Sequence, residues 1–480
     1  MTAIVSDLNN PDLAPTTPEQ RTWRWWHFAA LWVGMTMCIP AYLLASGLID
    51  QGMSPGQAVF TVLLGNVIVL IPMLLIGHAG ARHGIPYAVL ARASFGVEGG
   101  KLPAIARAIV ACGWYGIQTW VGGTVLLALA GVALGAPLDG PPLPGLGISA
   151  WQFAAFLTFW AIQLFFVTKG MEMVKRLETW TAPAKILICA VLVAWALGQT
   201  GGLAHAFDES GRPGAFAAIF WPSLTAMVGF WATLALNIPD FTRFARTQRD
   251  QFVGQAVGLP LPMGALAAVA VITTAATRIA FGEAIWDPVE LATRFPSVWV
   301  LIGLLIISID TISCNIAANL VGPAYDFSAL SPRRISYRTG AWITALIGVC
   351  IMPWKLVASS SGYIFTWLIG YSALLGPIAG IIIADYWLLR RAELDAEGLY
   401  APDGPYAYRR GWNPAAVIAL VVATAPNLPG FLMAVAPGAF GGLPPAWAAL
   451  YPYAWFVGVA IALVVYYGLM RWRPRPAVPA

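Results

Sequence analysis

The chain has 480 residues, 59% of them hydrophobic and only 10% charged, with a formal net charge of +5. Soluble domains carry roughly 25% charged residues, so a chain this apolar cannot shield its surface from water and belongs in a bilayer. Its basic residues sit in short loops, which argues against a nucleic-acid surface and reads as a topology signal.

The polar segment 1–26 lacks the apolar stretch of a signal peptide and is expected in the cytoplasm. Twelve apolar spans of helix length follow, at 27–49, 56–77, 102–133, 149–168, 180–200, 214–239, 254–278, 297–322, 338–356, 359–386, 412–434 and 448–471. Each is about 20 residues, the length that crosses a hydrocarbon core. With alternating sides, 22 of the 27 Lys and Arg residues fall on the side of the termini and 4 on the other, with Lys185 left inside span 5. That bias places both termini in the cytoplasm and agrees with an even number of spans.

Span 1 carries Gly34 and Pro40 in its middle; span 6 carries Pro222 and Gly229-Phe230-Trp231 and ends at Asn237-Ile-Pro239-Asp240. Interrupted helices five spans apart are the pattern of transporters built from inverted repeats around a midplane site. Span 3 reads Ala111-Cys-Gly-Trp114-Tyr-Gly-Ile-Gln118-Thr-Trp120. Trp114 and Gln118, at i and i+4, share one helix face. An indole stacks on a planar ring and a carboxamide both donates and accepts hydrogen bonds, so the pair suits a flat solute with N–H and C=O groups. An amide facing lipid would be costly.

Span 5 places Lys185 after Thr181-Ala-Pro-Ala, and span 8 reads Asp310-Thr-Ile-Ser313-Cys314-Asn315-Ile-Ala-Ala-Asn319. So dense a polar run points to a ligand or ion site rather than to helix pairing alone. Charges inside a membrane are costly and seek each other, which directs Lys185 toward Asp310. The five cysteines, Cys38, Cys112, Cys189, Cys314 and Cys350, lie in apolar spans without a CxxC spacing and are not expected to form disulfides. No HExxH is present, and no GxSxG is expected at a strand-to-helix turn. Gly96-Val-Glu-Gly-Gly-Lys101 is followed by Leu102, where a phosphate loop needs Ser or Thr. Neither an enzyme nor an ATP-driven pump is expected.

Several stretches together carry a family resemblance: Asn10-Pro-Asp-Leu-Ala-Pro15, Trp114-Tyr-Gly-Ile-Gln118-Thr-Trp120, Asn315-Ile-Ala-Ala-Asn319, Pro323-Ala-Tyr325, Met352-Pro-Trp354 and Gly376-Pro-Ile-Ala-Gly380 with Asp385-Tyr386. The chain resembles the nucleobase:cation symporter-1 family, in particular bacterial allantoin and hydantoin permeases, from Asn10 to about Tyr408. The resemblance implies an all-α integral membrane protein of twelve transmembrane helices, a LeuT-like five-plus-five inverted repeat with two extra C-terminal helices. The expected divisions are a cytoplasmic segment 1–26, repeats at 27–200 and 201–390, a cytoplasmic loop with spans 11–12 at 391–471, and a cytoplasmic tail at 472–480.

The resemblance further implies that Trp114 and Trp231 sandwich the substrate ring while Gln118 and Asn319 bind its edge. Cys38 and Phe230 would complete the pocket, where the hydantoin carrier has an amide and a glycine. The family's sodium site would fall on the carbonyls of Gly34, Met37 and Asp310 and the side chains of Ser313 and Cys314. The hydantoin carrier has Thr at the Cys314 position, and a thiol is a poor ligand for a hard cation. Lys185 lies close to that site, and an approach to Asp310 would shift coupling from sodium toward protons. No cofactor is expected beyond a coupling ion, Na+ or H+. The partners expected are a small-molecule substrate and the bilayer, with no nucleic acid, and the protein is expected to be a monomer in the cytoplasmic membrane. The expected function is cation-coupled uptake of a planar ureide or nucleobase: allantoin or hydantoin first, uracil, cytosine or a purine next. A thiamine- or pyridoxine-type symporter of the same family is the alternative, and a channel a more distant one.

Overall fold

The computed structural model describes residues 7–167, 171–207, 211–283, 285, 287–295, 297–358 and 362–472. Each of the twelve apolar spans coincides with a helical segment. Eight helices among the described residues are long and apolar enough to cross a bilayer, and the bent span 1 makes nine. Spans 4, 6 and 9 are shorter: Ala150–Val167, Ala215–Phe230 continued by Ala232–Asn237, and Tyr337–Cys350. Large apolar side chains such as Ile71, Phe165, Val191 and Val464 face outward, as a lipid-exposed surface requires.

Span 1 is two helices, Trp25–Thr36 and Ile39–Asp50, bent by 57°. Met37 leaves the helical conformation and Cys38 is extended. Pro40 then opens the second half, where the missing N–H costs nothing. Span 6 breaks at Trp231, whose ψ of 5° interrupts the helix. Gly229 stands just before this break because span 10 comes so close: a Cβ there would lie 2.8 Å from the Leu368 carbonyl oxygen. Each break leaves backbone groups without intrahelical partners inside the protein.

Span 3 (Lys101–Leu134) packs against spans 4, 8 and 9. Span 8 runs from Ser297 to Asn315, widens into one π-helical turn at Ile316–Leu320, and continues as Val321–Leu330. Span 10 likewise begins in π-helical geometry at Gly362–Leu368 before Ile369–Ile383. Such turns concentrate at functional sites because they rotate a helix face by an extra residue.

The loops assigned to one side by charge meet at one end of the molecule. Trp23 N donates to Phe244 O at 2.9 Å. Asn10 Nδ2 reaches Ser328 Oγ at 2.8 Å, Tyr337 N reaches Asp12 Oδ2 at 2.9 Å, and Tyr400 Oη reaches Leu13 O at 2.7 Å. At the other end Arg212 Nη2 caps the Asp50 carbonyl at 2.9 Å. Lys169, Arg473 and Arg475 lie outside the described residues, as do the side chains of Lys175 and Arg176. The sequence reading did not anticipate the buried helix Tyr87–Phe95 between spans 2 and 3. Span 7 crosses as one piece, Gln248–Phe281, with a one-residue interruption at Leu259 before Pro260.

Candidate substrate cavity and cation site

A small cavity lies where the breaks of spans 1 and 6 face spans 3 and 8. All six side chains expected around a substrate line it: Cys38, Trp114, Gln118, Phe230, Trp231 and Asn319. Met35, Thr233, Leu234 and Ala318 complete the wall.

The aromatic wall is tighter than a simple sandwich. The Phe230 ring makes edge-to-face contacts with both indoles, at 5.0 Å to Trp114 and 4.8 Å to Trp231 between centroids. Both indoles are held by their N–H groups. Trp231 Nε1 donates to Asn66 Oδ1 at 2.7 Å, and Asn66 Nδ2 is itself anchored on the Val62 carbonyl at 2.7 Å. Trp114 Nε1 donates to Tyr371 Oη at 3.2 Å, and that hydroxyl donates to Gly229 O at 2.8 Å. Tyr371 on span 10 therefore links the span 3 aromatic platform to the break in span 6. Fixed indoles present their faces, not their N–H groups, to the cavity.

The polar edge is built by the π-helical turn of span 8, which carries Asn319. Asn319 Nδ2 donates to Asn315 Oδ1 at 2.9 Å. Asn315 Nδ2 points away from the cavity, to Tyr115 O, Thr119 Oγ1 and Gln163 Oε1. Gln118 Nε2 donates to Cys314 Sγ at 3.3 Å, whose thiol meets Met35 O at 3.3 Å. Gln118 Oε1 is buried without a hydrogen-bond partner among the described residues. Asn315 thus takes the helix-bridging part of the polar run, and Asn319 takes the cavity-facing part.

Next to this edge, Lys185 Nζ lies 2.5 Å from Asp310 Oδ1, the lysine side chain 3% exposed and the aspartate 13%. The same ammonium donates to the Gly34 carbonyl at the break of span 1. One of the carbonyls expected around a sodium ion, that of Gly34, is thus engaged by the ammonium, which also holds the Asp310 carboxylate. Cys314 Sγ is engaged by Gln118 and Met35, and Ser313 is buried.

Below the cavity, Arg107 Nη1 pairs with Asp326 Oδ2 at 3.1 Å, both side chains at most 1% exposed. Arg107 Nε also reaches Thr233 O at 3.4 Å, at the cavity wall. The sequence reading passed over Asn66, Gln163, Thr233, Tyr371 and this ion pair. Asn66 and Gln163 were detectable, each a carboxamide deep in an apolar span, the signal that singled out Gln118. Tyr371 and Thr233 carry no such signal, since both residue types are common in membrane helices.

Broken helices at matching positions in two halves, with an aromatic and carboxamide cavity between them, define an integral membrane transporter of LeuT-like fold rather than an enzyme. A family model described as "Permease for cytosine/purines, uracil, thiamine, allantoin" matches residues 15–458, and the chain belongs to that family. It is 42% identical over 468 residues to the purine-uracil permease of Arabidopsis thaliana, covering 96% of this chain and 78% of that one. It is 39% identical over 473 residues to the allantoin permease of Bacillus subtilis, covering 97% and 94%. Its fold is similar to that of a nucleobase-cation-symport-1 family transporter solved in a closed conformation with bromovinylhydantoin bound. That match has a TM-score of 0.78 at 24% identity and covers 97% of this chain and 96% of the other.

Proposed function

We propose that this permease imports a small planar ureide or nucleobase by cation-coupled alternating access. The observation that carries this reading is the convergence of Trp114, Gln118, Trp231 and Asn319 on one cavity at the helix breaks. Stacking on an indole and hydrogen bonding at the ring edge together select a flat heterocycle. Relatives that are allantoin and purine-uracil permeases support the same class. Rocking of one group of spans against the other exposes the cavity to each side in turn. The residues of spans 1–5, 27–200, and of spans 6–10, 201–390, serve as the two repeats. Both termini face the cytoplasm, a topology supported by the basic bias and by the loops that meet at one end.

The coupling ion is a proton rather than sodium. Lys185 holds the Gly34 carbonyl and the Asp310 carboxylate, which supports a titratable pair in place of a bound metal ion. Proton movement at this pair breaks its attraction and frees the two halves of span 1 to reorient.

Purified protein in proteoliposomes tests both parts. Saturable counterflow of labelled allantoin, hydantoin or uracil, driven by an inward proton gradient and indifferent to sodium at fixed pH, is the expected result. Failure to bind or exchange any of these solutes overturns the substrate class, and sodium dependence at fixed pH overturns the coupling.

A further inference from the structure

We infer that both recognition carboxamides face the solute as hydrogen-bond acceptors, so that this transporter selects for adjacent N–H donors on the ring, with Asn315 and Cys314 as the positioning residues that enforce this. The inference rests on the transport reading above and sharpens its substrate class.

The orientation of an amide is decided by its fixed neighbours, and here two backbone carbonyls decide it. A carbonyl can only accept. The Tyr115 carbonyl oxygen receives the Thr119 hydroxyl at 2.6 Å and Asn315 Nδ2 at 3.1 Å. The Thr119 oxygen, its proton spent, accepts from Gln163 Nε2 at 3.0 Å and from Asn315 Nδ2 at 3.1 Å. Gln163 Oε1 accepts from the same Asn315 nitrogen at 2.7 Å. Every one of these groups agrees on the direction of Asn315: its NH2 points into the bundle and its oxygen toward Asn319. Asn319 must therefore donate to that oxygen, which leaves its own carbonyl end for the cavity it lines.

Gln118 is set in the same way from the other side. The Met35 carbonyl can only accept, so the Cys314 thiol donates to it, and the sulfur lone pair then accepts Gln118 Nε2. Gln118 Oε1 remains buried and without a partner among the described residues, on the side chain that lines the cavity. A buried acceptor left unmade is costly, and a solute N–H that satisfies it gains correspondingly. The indole N–H groups, both spent on Asn66 and Tyr371, offer no donors to offset this polarity.

The ligand class is a planar ring with N–H groups flanking a carbonyl, as in a cyclic ureide. A ring that presents oxygen or an alkylated nitrogen at those positions is refused. Sites built to pair a polar group reject the analogue that lacks it far more strongly than a shape mismatch does.

Calorimetric binding to the purified full-length protein tests this with hydantoin and uracil against their 1-oxa analogues, in which a ring oxygen replaces one N–H without added bulk. The oxa analogues are expected to bind on the order of tenfold or more weakly. Cys314→Ala, which frees the Gln118 amide to turn, should shrink that ratio several-fold, whereas Cys314→Ser, which keeps a donor to Met35 and an acceptor for Gln118, should preserve it. Oxa analogues that bind within twofold of their parents, or a ratio untouched by Cys314→Ala, overturn the inference while leaving the transport reading intact. Absence of binding by either parent overturns the transport reading, and the inference with it.

Discussion

The ammonium of Lys185 on span 5 lies 2.5 Å from the carboxylate of Asp310 on span 8, and it also engages the carbonyl of Gly34 at the break of span 1. One side chain thus ties together three spans at the point where span 1 must hinge.

Truncating one partner of a buried ion pair costs about 3–5 kcal/mol because the other charge is stranded. Lys185→Met should therefore lower the melting temperature of the detergent-solubilised protein. The double variant Lys185→Met/Asp310→Asn should regain most of that loss. Both should lose proton-driven accumulation in proteoliposomes while retaining measurable ligand binding. A Lys185→Met protein that accumulates substrate as the parent does would rule out this pair as the coupling element.

Trp114→Ala removes the stacking face of the cavity. Stacking of a base on an aromatic ring is worth about 1–3 kcal/mol, so affinity should fall roughly five- to 150-fold with expression and melting temperature little changed. Trp114→Phe should recover part of it. If Trp114→Ala instead fails to insert into the membrane, the indole has a packing role.

Asn66 touches the cavity only through Trp231. Asn66→Leu leaves the indole N–H without its acceptor, at a cost of about 1–3 kcal/mol. Binding should weaken about tenfold. Trp231→Phe should weaken it comparably, and the double variant should be no worse than Trp231→Phe alone, since coupled residues are not additive. Additive losses in this cycle would separate the two residues.

The Arg107–Asp326 pair, whose guanidinium reaches the Thr233 carbonyl at the cavity wall, is expected to close the route on that side. Gly322 allows the guanidinium to lie against span 8, and a Cβ there would come within 2.1 Å of Arg107 Nη1. Asp326→Asn and Gly322→Ala should therefore act alike. Both should lower the melting temperature and slow counterflow, with ligand affinity changed less than in Trp114→Ala. Normal counterflow in both variants would remove this pair from the closure of the pathway.

Much of this was legible in the chain itself. Apolar length marked the twelve spans, Gly and Pro marked the interrupted helices, and the i, i+4 spacing put Trp114 and Gln118 on one face. All of these are local: a helix fixes its own periodicity within a few residues, whatever surrounds it. The expected pocket residues accordingly line one cavity.

What the tertiary structure decided is how one span meets another. Asn315 and Asn319 look alike in sequence, yet one bonds to spans 3 and 4 while the π-helical turn aims the other at the cavity. Phe230 joins the two indoles edge to face, and Asn66 and Tyr371 fix them from 165 and 257 residues away. Which way each carboxamide points depends on backbone carbonyls of other turns and other spans. Register between helices comes from side-chain packing across the bundle, and no periodicity within a single helix encodes it.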